Sequence, residues 1–255
     1  MAIPTWEDRL RHRERPPGSA VMYQSWQQLL FLHWQVPVET VQASLPPGLT
    51  ADTFQGQAWV GVVPFWMRNI RPRGCPRVPG ISDFLELNLR TYVHDENGNV
   101  GVWFYSLDAN QRLAVWAART FFHLNYQRAE MESARDPDTG QVDFRARRLQ
   151  LGTVPPAHFR YSPTTSPAVA SPGTFEFFLV ERYLLFARDR GGQLWTGRVF
   201  HPPYPIQSVA LATWSDQHFS LNGLPAPNRV PDHVVMSPGV DVEVFSLQRQ
   251  KNPHR

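Results

Sequence analysis

Between Phe84 and Tyr92 apolar and polar side chains alternate without a break: Leu85, Leu87 and Leu89 share one face, Glu86, Asn88 and Arg90 the other. A period of two predicts a strand. The polar triplet sits between two aromatic residues, which suits the lining of a cavity. The alternative is an outer face whose charges pair with neighbouring strands. A second strand follows at about 99–107, and the connecting Asp95-Glu96-Asn97-Gly98 contains the Asn-Gly hairpin signal. Ala58 to Met67 is almost continuously apolar, as expected of a strand buried on both faces. Residues 24–34 are apolar and aromatic. Val38 to Leu45 reads as a short helix stopped by Pro46-Pro47-Gly48. A second helix is predicted from Asp108, whose carboxylate is placed to cap it with Gln111 at the capping-box position. Its apolar stripe is Leu113, Trp116, Ala117 and Phe121. Strands are expected at about 126–133, 141–151 and 157–162, a helix over Phe175 to Arg188, and strands at about 194–200, 207–214 and 240–247. Two main helices among about ten strands predict a mainly β (β-rich α+β) fold, a barrel or folded sheet with helical covers.

The 24 prolines and 16 glycines are spread along the chain and punctuate short elements. With no repeat and no low-complexity linker, one domain is expected over 1–255, with its core at about 21–247 and frayed ends at 1–20 and 248–255. A chain of this size buries about 70–75% of its unfolded surface and needs no covalent staple. Cys75 is the single cysteine, which excludes an internal disulfide and a multi-cysteine metal site. The charged start and the lack of an 18-residue apolar run lead to the expectation of a soluble, cytoplasmic protein with no membrane partner. Net charge is only +3. The arginines fall in loose groups at Arg9 to Arg15, Arg68 to Arg77 and Arg145 to Arg148 rather than in a stripe, which argues against nucleic acid.

Six fragments in order carry a resemblance: Phe31-Leu32-His33-Trp34, Leu45-Pro46-Pro47-Gly48-Leu49, Val63-Pro64-Phe65-Trp66-Met67, Glu86-Leu87-Asn88-Leu89-Arg90-Thr91-Tyr92-Val93, Ser106-Leu107-Asp108-Ala109 and Glu181-Arg182-Tyr183. Together they resemble the uncharacterised YqjF-like family of the acetoacetate decarboxylase-like superfamily, over about residues 25–247. The resemblance implies a β cone or barrel with an internal cavity, closed by two or three short helices. In the decarboxylases a lysine amine of lowered pKa attacks the substrate. That lysine follows a helix corresponding to Ala109–Phe122, so its place falls near Asn125 and Tyr126. Neither is lysine, and Lys251, the only lysine of the chain, belongs to the C-terminal tail. The fold is therefore expected without the Schiff-base mechanism.

Candidate chemistry centres on the 84–92 strand. Arg90 suits a substrate carboxylate, which a guanidinium holds through a bidentate fork. Glu86, desolvated beside Phe84, would have a raised pKa and move protons. The resemblance also implies a glutamate inside the cavity, and Glu86 is the match. Asn88 lies between them. Arg119 and Tyr126 bracket the end of the predicted helix. In the structural reading Arg119 complements the helix dipole and Tyr126 only packs; in the functional one they are an anion binder and a proton donor. In one reading Arg182 and Tyr183 line the cavity while Glu181 pairs on the surface; in the other the Glu181-Arg182-Tyr183 segment supplies a buried structural salt bridge. His201, after a strand and before Pro202-Pro203, is the best histidine for cavity acid/base work, and His33 is second. The nine histidines show no ligand spacing such as His-x-x-x-His, so no metal is expected. Cys75 has no histidine near it in sequence. Ser106 lacks a Gly-x-Ser-x-Gly elbow, and no Gly-rich phosphate loop is present.

These features lead to one expectation: a small organic carboxylate or carbonyl compound bound in a barrel cavity, with no cofactor. If the protein is an enzyme, the reaction is a lysine-independent lyase or isomerase step, with Glu86, Tyr126 and His201 handling protons. Arg90, Asn88, Arg119, Arg182 and Tyr183 would bind the substrate. Two alternatives stand beside it: a non-catalytic module for an apolar or aromatic ligand, and a filled structural barrel. Oligomeric state is left open, a homo-oligomer included.

Overall fold

The computed structural model describes residues 4–149 and 155–250. In chain order the elements are α1 (Trp6–Leu10), β1 (Met22–Val36), α2 (Val38–Ser44), β2 (Thr50–Ala51), β3 (Ala58–Pro72), β4 (Phe84–His94), β5 (Val100–Ala109) and α3 (Arg112–Phe121). They continue with β6 (Tyr126–Arg135), β7 (Val142–Arg148), β8 (Ala157–Pro163), β9 (Ala168–Val169), α4 (Phe175–Val180), β10 (Leu184–Arg188) and β11 (Leu194–Phe200). Last come β12 (Pro205–Ile206), β13 (Val209–Thr213), α5 (Gln217–Ser220), β14 (His233–Val244) and β15 (Gln248–Arg249).

Seven strands close on themselves. The ring runs β5-β10-β11-β14-β1-β3-β4 and back to β5. Closure removes the edges that an open sheet would expose. A second sheet, β6-β7-β8-β13, leaves the ring through a short parallel pairing of β6 with β5. It packs on the outside of the barrel. Leu85, Leu87 and Leu89 share that outer core with Leu30, Val62, Phe144 and Phe159. Phe84 and Tyr92 belong to the inner core with Phe31, Phe65 and Phe178. This explains why every residue of β4 is buried: one face meets the barrel interior, the other the second sheet. The polar face that carries Glu86, Asn88 and Arg90 is the inner one.

The β4–β5 connection follows the Asn-Gly expectation. Asp95 Oδ1 accepts the Asn97 and Asn99 amides, both at 2.9 Å, and Gly98 takes the positive φ of +75° that glycine adopts without strain. The mainly β architecture stands, the short helix expected from Val38 is α2, and the described residues hold five short helices rather than two or three.

Three local expectations are corrected. Asp108 does not cap a helix. It lies in β5 opposite Leu87, and Gln111 is the N-cap, accepting from Leu113 N at 3.0 Å. The helix therefore starts at Arg112 and its phase differs from the expected one. Val115 is its buried residue, and Ala114, Ala118 and Phe122 pack beside it. Leu113, Trp116 and Phe121 of the expected stripe are 55%, 60% and 61% exposed.

Phe175 to Arg188 is not one helix. Thr174 caps α4 by accepting from Phe177 N at 3.3 Å, and the helix ends at Val180. Arg182 Nε donates to Phe178 O at 2.8 Å and so takes up a terminal carbonyl. Leu184–Arg188 then pairs with β11 and β5. Burying Phe177 and Phe178 holds the short helix in place, at about 1.5–3 kcal/mol per side chain.

The segment before residue 21 contains α1, closed by a reciprocal Thr5/Asp8 capping box. Its Arg9 is buried and paired with Asp52, which also takes Arg182 NH1 at 2.7 Å. This anchors part of a segment expected to fray. Burial pushes the Asp52 carboxyl up, but Arg182 and Arg9 outweigh that and hold it below its ordinary value. Lys251 lies outside the described residues.

Candidate site on the inner wall of the barrel

Glu86, Asn88 and Arg90 project from alternate positions of β4 into the barrel, at 3%, 5% and 8% exposure. Across the ladder they face Phe65, Val63 and Gly61 of β3. Tyr126, the first residue of β6, donates its hydroxyl to Glu86 Oε2 at 2.7 Å. Burial raises the Glu86 carboxyl to about 7; the hydrogen bonds from Tyr126 and Asn88 pull it down and the charge of Asp108 adds to the rise. Burial, with the Glu86 charge beside it, pushes the Tyr126 hydroxyl well above its ordinary range. The tyrosine thus stays a donor while the carboxyl titrates near neutrality.

Arg90 lies under two rings, with its guanidinium carbon 5.4 Å from the Phe31 centroid and 5.7 Å from that of Tyr92. Its NH2 donates to Leu179 O at 3.2 Å. Its Nε is buried and makes no hydrogen bond to the described residues. No carboxylate among the described residues lies within salt-bridge distance of it, whereas the buried Arg9, Arg148 and Arg182 each have one. Asn88 Oδ1, two positions away, is likewise buried without a donor.

A chain of side chains adjoins Arg90. His33 Nε2 lies 2.7 Å from the Tyr92 hydroxyl, and its Nδ1 lies 3.1 Å from His233 Nδ1. Burial holds His33 well below its ordinary value, reinforced by His233 and Arg90. Gly61 leaves room for this: a Cβ there would meet His33 Cδ2 at 3.0 Å. Sequence reading found no close histidine pair, because these two are 200 residues apart and become cross-strand partners in β1 and β14.

His201 is buried in the same interior, its ring stacked on Tyr183 at 4.6 Å and tilted against Tyr204 at 4.6 Å. Nδ1 lies 2.9 Å from Pro202 O. A carbonyl only accepts, so Nδ1 carries the hydrogen and Nε2 the lone pair. That Nε2 is buried and has no partner among the described residues. Burial lowers the imidazole pKa, opposed in part by the Pro202 and Arg182 backbones and the Glu181 charge.

The other expected residues are engaged by protein partners. Arg119 is exposed and does not join the inner wall; its Nε donates to Tyr126 O at 2.6 Å and its NH2 to Gln127 Oε1 at 3.3 Å. It fixes the backbone that carries Tyr126. Arg182 is committed to Asp52, with its guanidinium over Phe178 and Tyr92. Tyr183 donates to Glu181. Glu181 is buried rather than on the surface and also accepts from Tyr204 N at 2.8 Å. Cys75 is exposed.

Sequence reasoning missed a second buried polar group on the outer side of the barrel wall. Arg148 of β7 grips Asp108 through NH2 at 2.7 Å and Nε at 3.0 Å, and also donates to Ser106 Oγ at 2.7 Å. His218 Nε2 lies 3.3 Å from Asp108 Oδ2. Ser106 faces Arg148 and Asn222, not the histidine, so the group ties the second sheet to the barrel and forms no nucleophile–base pair.

Among solved structures, the fold is similar to an enduracididine biosynthesis enzyme, MppR, with a TM-score of 0.64, 13% identity and coverage of 91% of this chain and 90% of that one. It is also similar to acetoacetate decarboxylase from Legionella pneumophila subsp. pneumophila str. Philadelphia 1, with a TM-score of 0.64, 13% identity and coverage of 96% and 97%. At such identities the likeness shows the fold, that of the acetoacetate decarboxylase-like proteins. An uncharacterized protein, YqjF of Bacillus subtilis (strain 168), is 39% identical over 207 residues, covering 80% of this chain and 84% of that protein. Residues 23–241 match the family DUF2071, described as an uncharacterized conserved protein. The chain belongs to the DUF2071 family and has an acetoacetate decarboxylase-like fold.

Proposed function

We propose that this protein binds a small organic carboxylate or carbonyl compound against the inner face of β4, and that Arg90 takes the carboxylate. The observation that carries this reading is Arg90 itself: a buried guanidinium with no carboxylate of the described residues in reach. An uncompensated buried charge is costly, and an anionic ligand removes that cost. The MppR neighbour holds the condensation product of pyruvate and imidazole 4-carboxaldehyde, which supports an oxo acid as the ligand class.

Glu86 lies four residues from Arg90 on the same strand face, a Cα separation of about 13 Å. With the carboxylate held at Arg90, Glu86 is placed to take a proton from a carbon beside the carbonyl and return it elsewhere on the same molecule. A carboxyl that titrates near 7 is matched to both steps. No lysine lies among the described residues, so the chemistry that fits is a lyase or isomerase step without a Schiff base.

The aromatic surround of Arg90, Phe31 and Tyr92 above all, favours a second reading: a binding or sensing module with no turnover. A thermal-shift panel of 2-oxo, 3-oxo and hydroxy acids tests the shared part. A ligand at 100 times its dissociation constant adds about 2.7 kcal/mol, a rise of several degrees. The rise is lost in Arg90→Ala. A rise that persists in that variant contradicts the role given to Arg90. Exchange of ligand C–H hydrogens with deuterated water, abolished by Glu86→Gln, separates enzyme from binder.

A further inference from the structure

The strand β5 has an unusual outer edge. On one side it pairs with β4. On the other it receives two parallel strands in succession, β10 at Val102 and Trp103 and β6 at Leu107 to Ala109. Between those pairings the barrel wall is split. No strand pairs with that edge at residues 104–106, and the register with β4 shifts there, Leu89 facing Ser106 and Arg90 facing Phe104.

A cleft of about 480 Å³ occupies this split, lined in part by Trp103, Phe104, His123, Leu124, Arg188 and Arg190. Two of these residues belong to both sides of the wall. Phe104 is the cross-strand partner of Arg90 and packs, half-buried, on the inner core. Leu124 also packs on the inner core and stands two positions before Tyr126, the partner of Glu86. Phe104 and Leu124 thus both line the cleft and pack on the inner core.

The rim of the cleft is fixed by hydrogen bonds: Asn125 Nδ2 donates to Tyr105 O at 2.6 Å, and Leu107 N donates to Asn125 O at 3.0 Å. Its charge is cationic, with Arg188 and Arg190 against Asp189. That carboxylate is already engaged by Trp195 Nε1 at 2.9 Å and Gln193 N at 3.0 Å. His123 stands at the rim with its ring 5.4 Å from that of Trp195 and its backbone in the left-handed region at φ 52°.

We infer that this cleft is the entrance by which a small organic anion reaches Arg90, with Phe104 and Leu124 as the gate and Arg188 and Arg190 as the attracting charges. This rests on the proposed site at Arg90. A cationic mouth raises the local concentration of anions and their rate of arrival. A gate made of apolar side chains admits a ligand by rotamer change, without unfolding a strand.

The test reads access without relying on any ligand. In a Cys75→Ser background, Asn88→Cys places one thiol on the inner wall. Its modification rate is measured with an anionic and a cationic methanethiosulfonate of similar size. Phe104→Ala should raise the rate of both by about tenfold or more, as expected when a packed gate is removed. The anionic reagent should be favoured, and lose its advantage in Arg188→Gln/Arg190→Gln. Val63→Cys, facing Asn88 across the ladder, repeats the measurement at a second position. Rates indifferent to Phe104 at both positions overturn the entrance. Pyruvate binding in the wild type is measured in parallel. Gated access without pyruvate binding supports the entrance and counts against the oxo-acid reading; pyruvate binding with ungated access does the reverse.

Discussion

Tyr126, at the start of β6, gives its hydroxyl hydrogen to Glu86 Oε2 of β4 at 2.7 Å, joining two strands that do not pair with each other. The hydrogen bond opposes part of the burial that raises the carboxyl. Tyr126→Phe therefore moves the Glu86 titration upward from about 7 and costs about 1–3 kcal/mol of stability, since the carboxyl is left short of a donor. Side-chain carboxyl shifts followed by NMR in both proteins check the direction; a downward move contradicts it.

The same carboxyl makes stability depend on pH. Folded, Glu86 keeps its proton to about 7, against 4.5 for the free group. Between those values the folded state binds more protons than the unfolded one, so this contribution is fully present below about pH 4.5 and is lost as pH rises. By slightly above pH 7 the loss is about 3 kcal/mol. Glu86→Gln removes this contribution and leaves the opposite one of the buried His33 and His201 imidazoles, which are held below their ordinary value. Chemical denaturation at pH 5 and pH 8 measures it, and equal slopes in the two proteins would contradict the assignment.

The outer polar group is a second test of stability. Asp108→Asn leaves Arg148 a buried cation facing an amide, at a cost of about 3–5 kcal/mol. Asp108→Asn/Arg148→Met removes the charge as well and recovers part of that loss. Urea midpoints of the single and double variants decide this; additive losses would mean that the two side chains do not share one interaction.

Gly61→Ala addresses the chain behind Arg90. The new methyl would sit 3.0 Å from His33 Cδ2, tighter than ordinary contact. The ring must move, and the shift reaches Tyr92 and His233. Overpacking of this kind costs about 1–3 kcal/mol, and imidazole resonances of both histidines should move together. Unchanged His233 resonances would break the proposed continuity.

The alternation of β4 was legible in the sequence because a period of two needs no knowledge of distant residues. So was the Asn97-Gly98 turn, whose backbone demands are local. Which face of β4 lies inside was not legible from β4 alone, because a second sheet built from residues 126–135, 142–148, 157–163 and 209–213 covers the other face. Asp108 looked like a helix cap since its partners, Arg148 and His218, are 40 and 110 residues away. Phe175–Arg188 read as one helix because short apolar runs fit helix and strand alike; pairing with β11 and β5 decided the second half. Glu86 and Arg90 were singled out from their position on one strand. Their relations to Tyr126, Phe104 and Leu179 belong to the closed barrel and could not be read along the chain.

The central claim is that Arg90 receives a ligand carboxylate beside Glu86. A crystal structure of the protein soaked with pyruvate tests it most directly. The account predicts the carboxylate within hydrogen-bond distance of the Arg90 guanidinium, with the carbonyl end directed along β4 toward Glu86. Pyruvate found elsewhere, or Arg90 bonded wholly to protein and ordered water in saturated crystals, would contradict it.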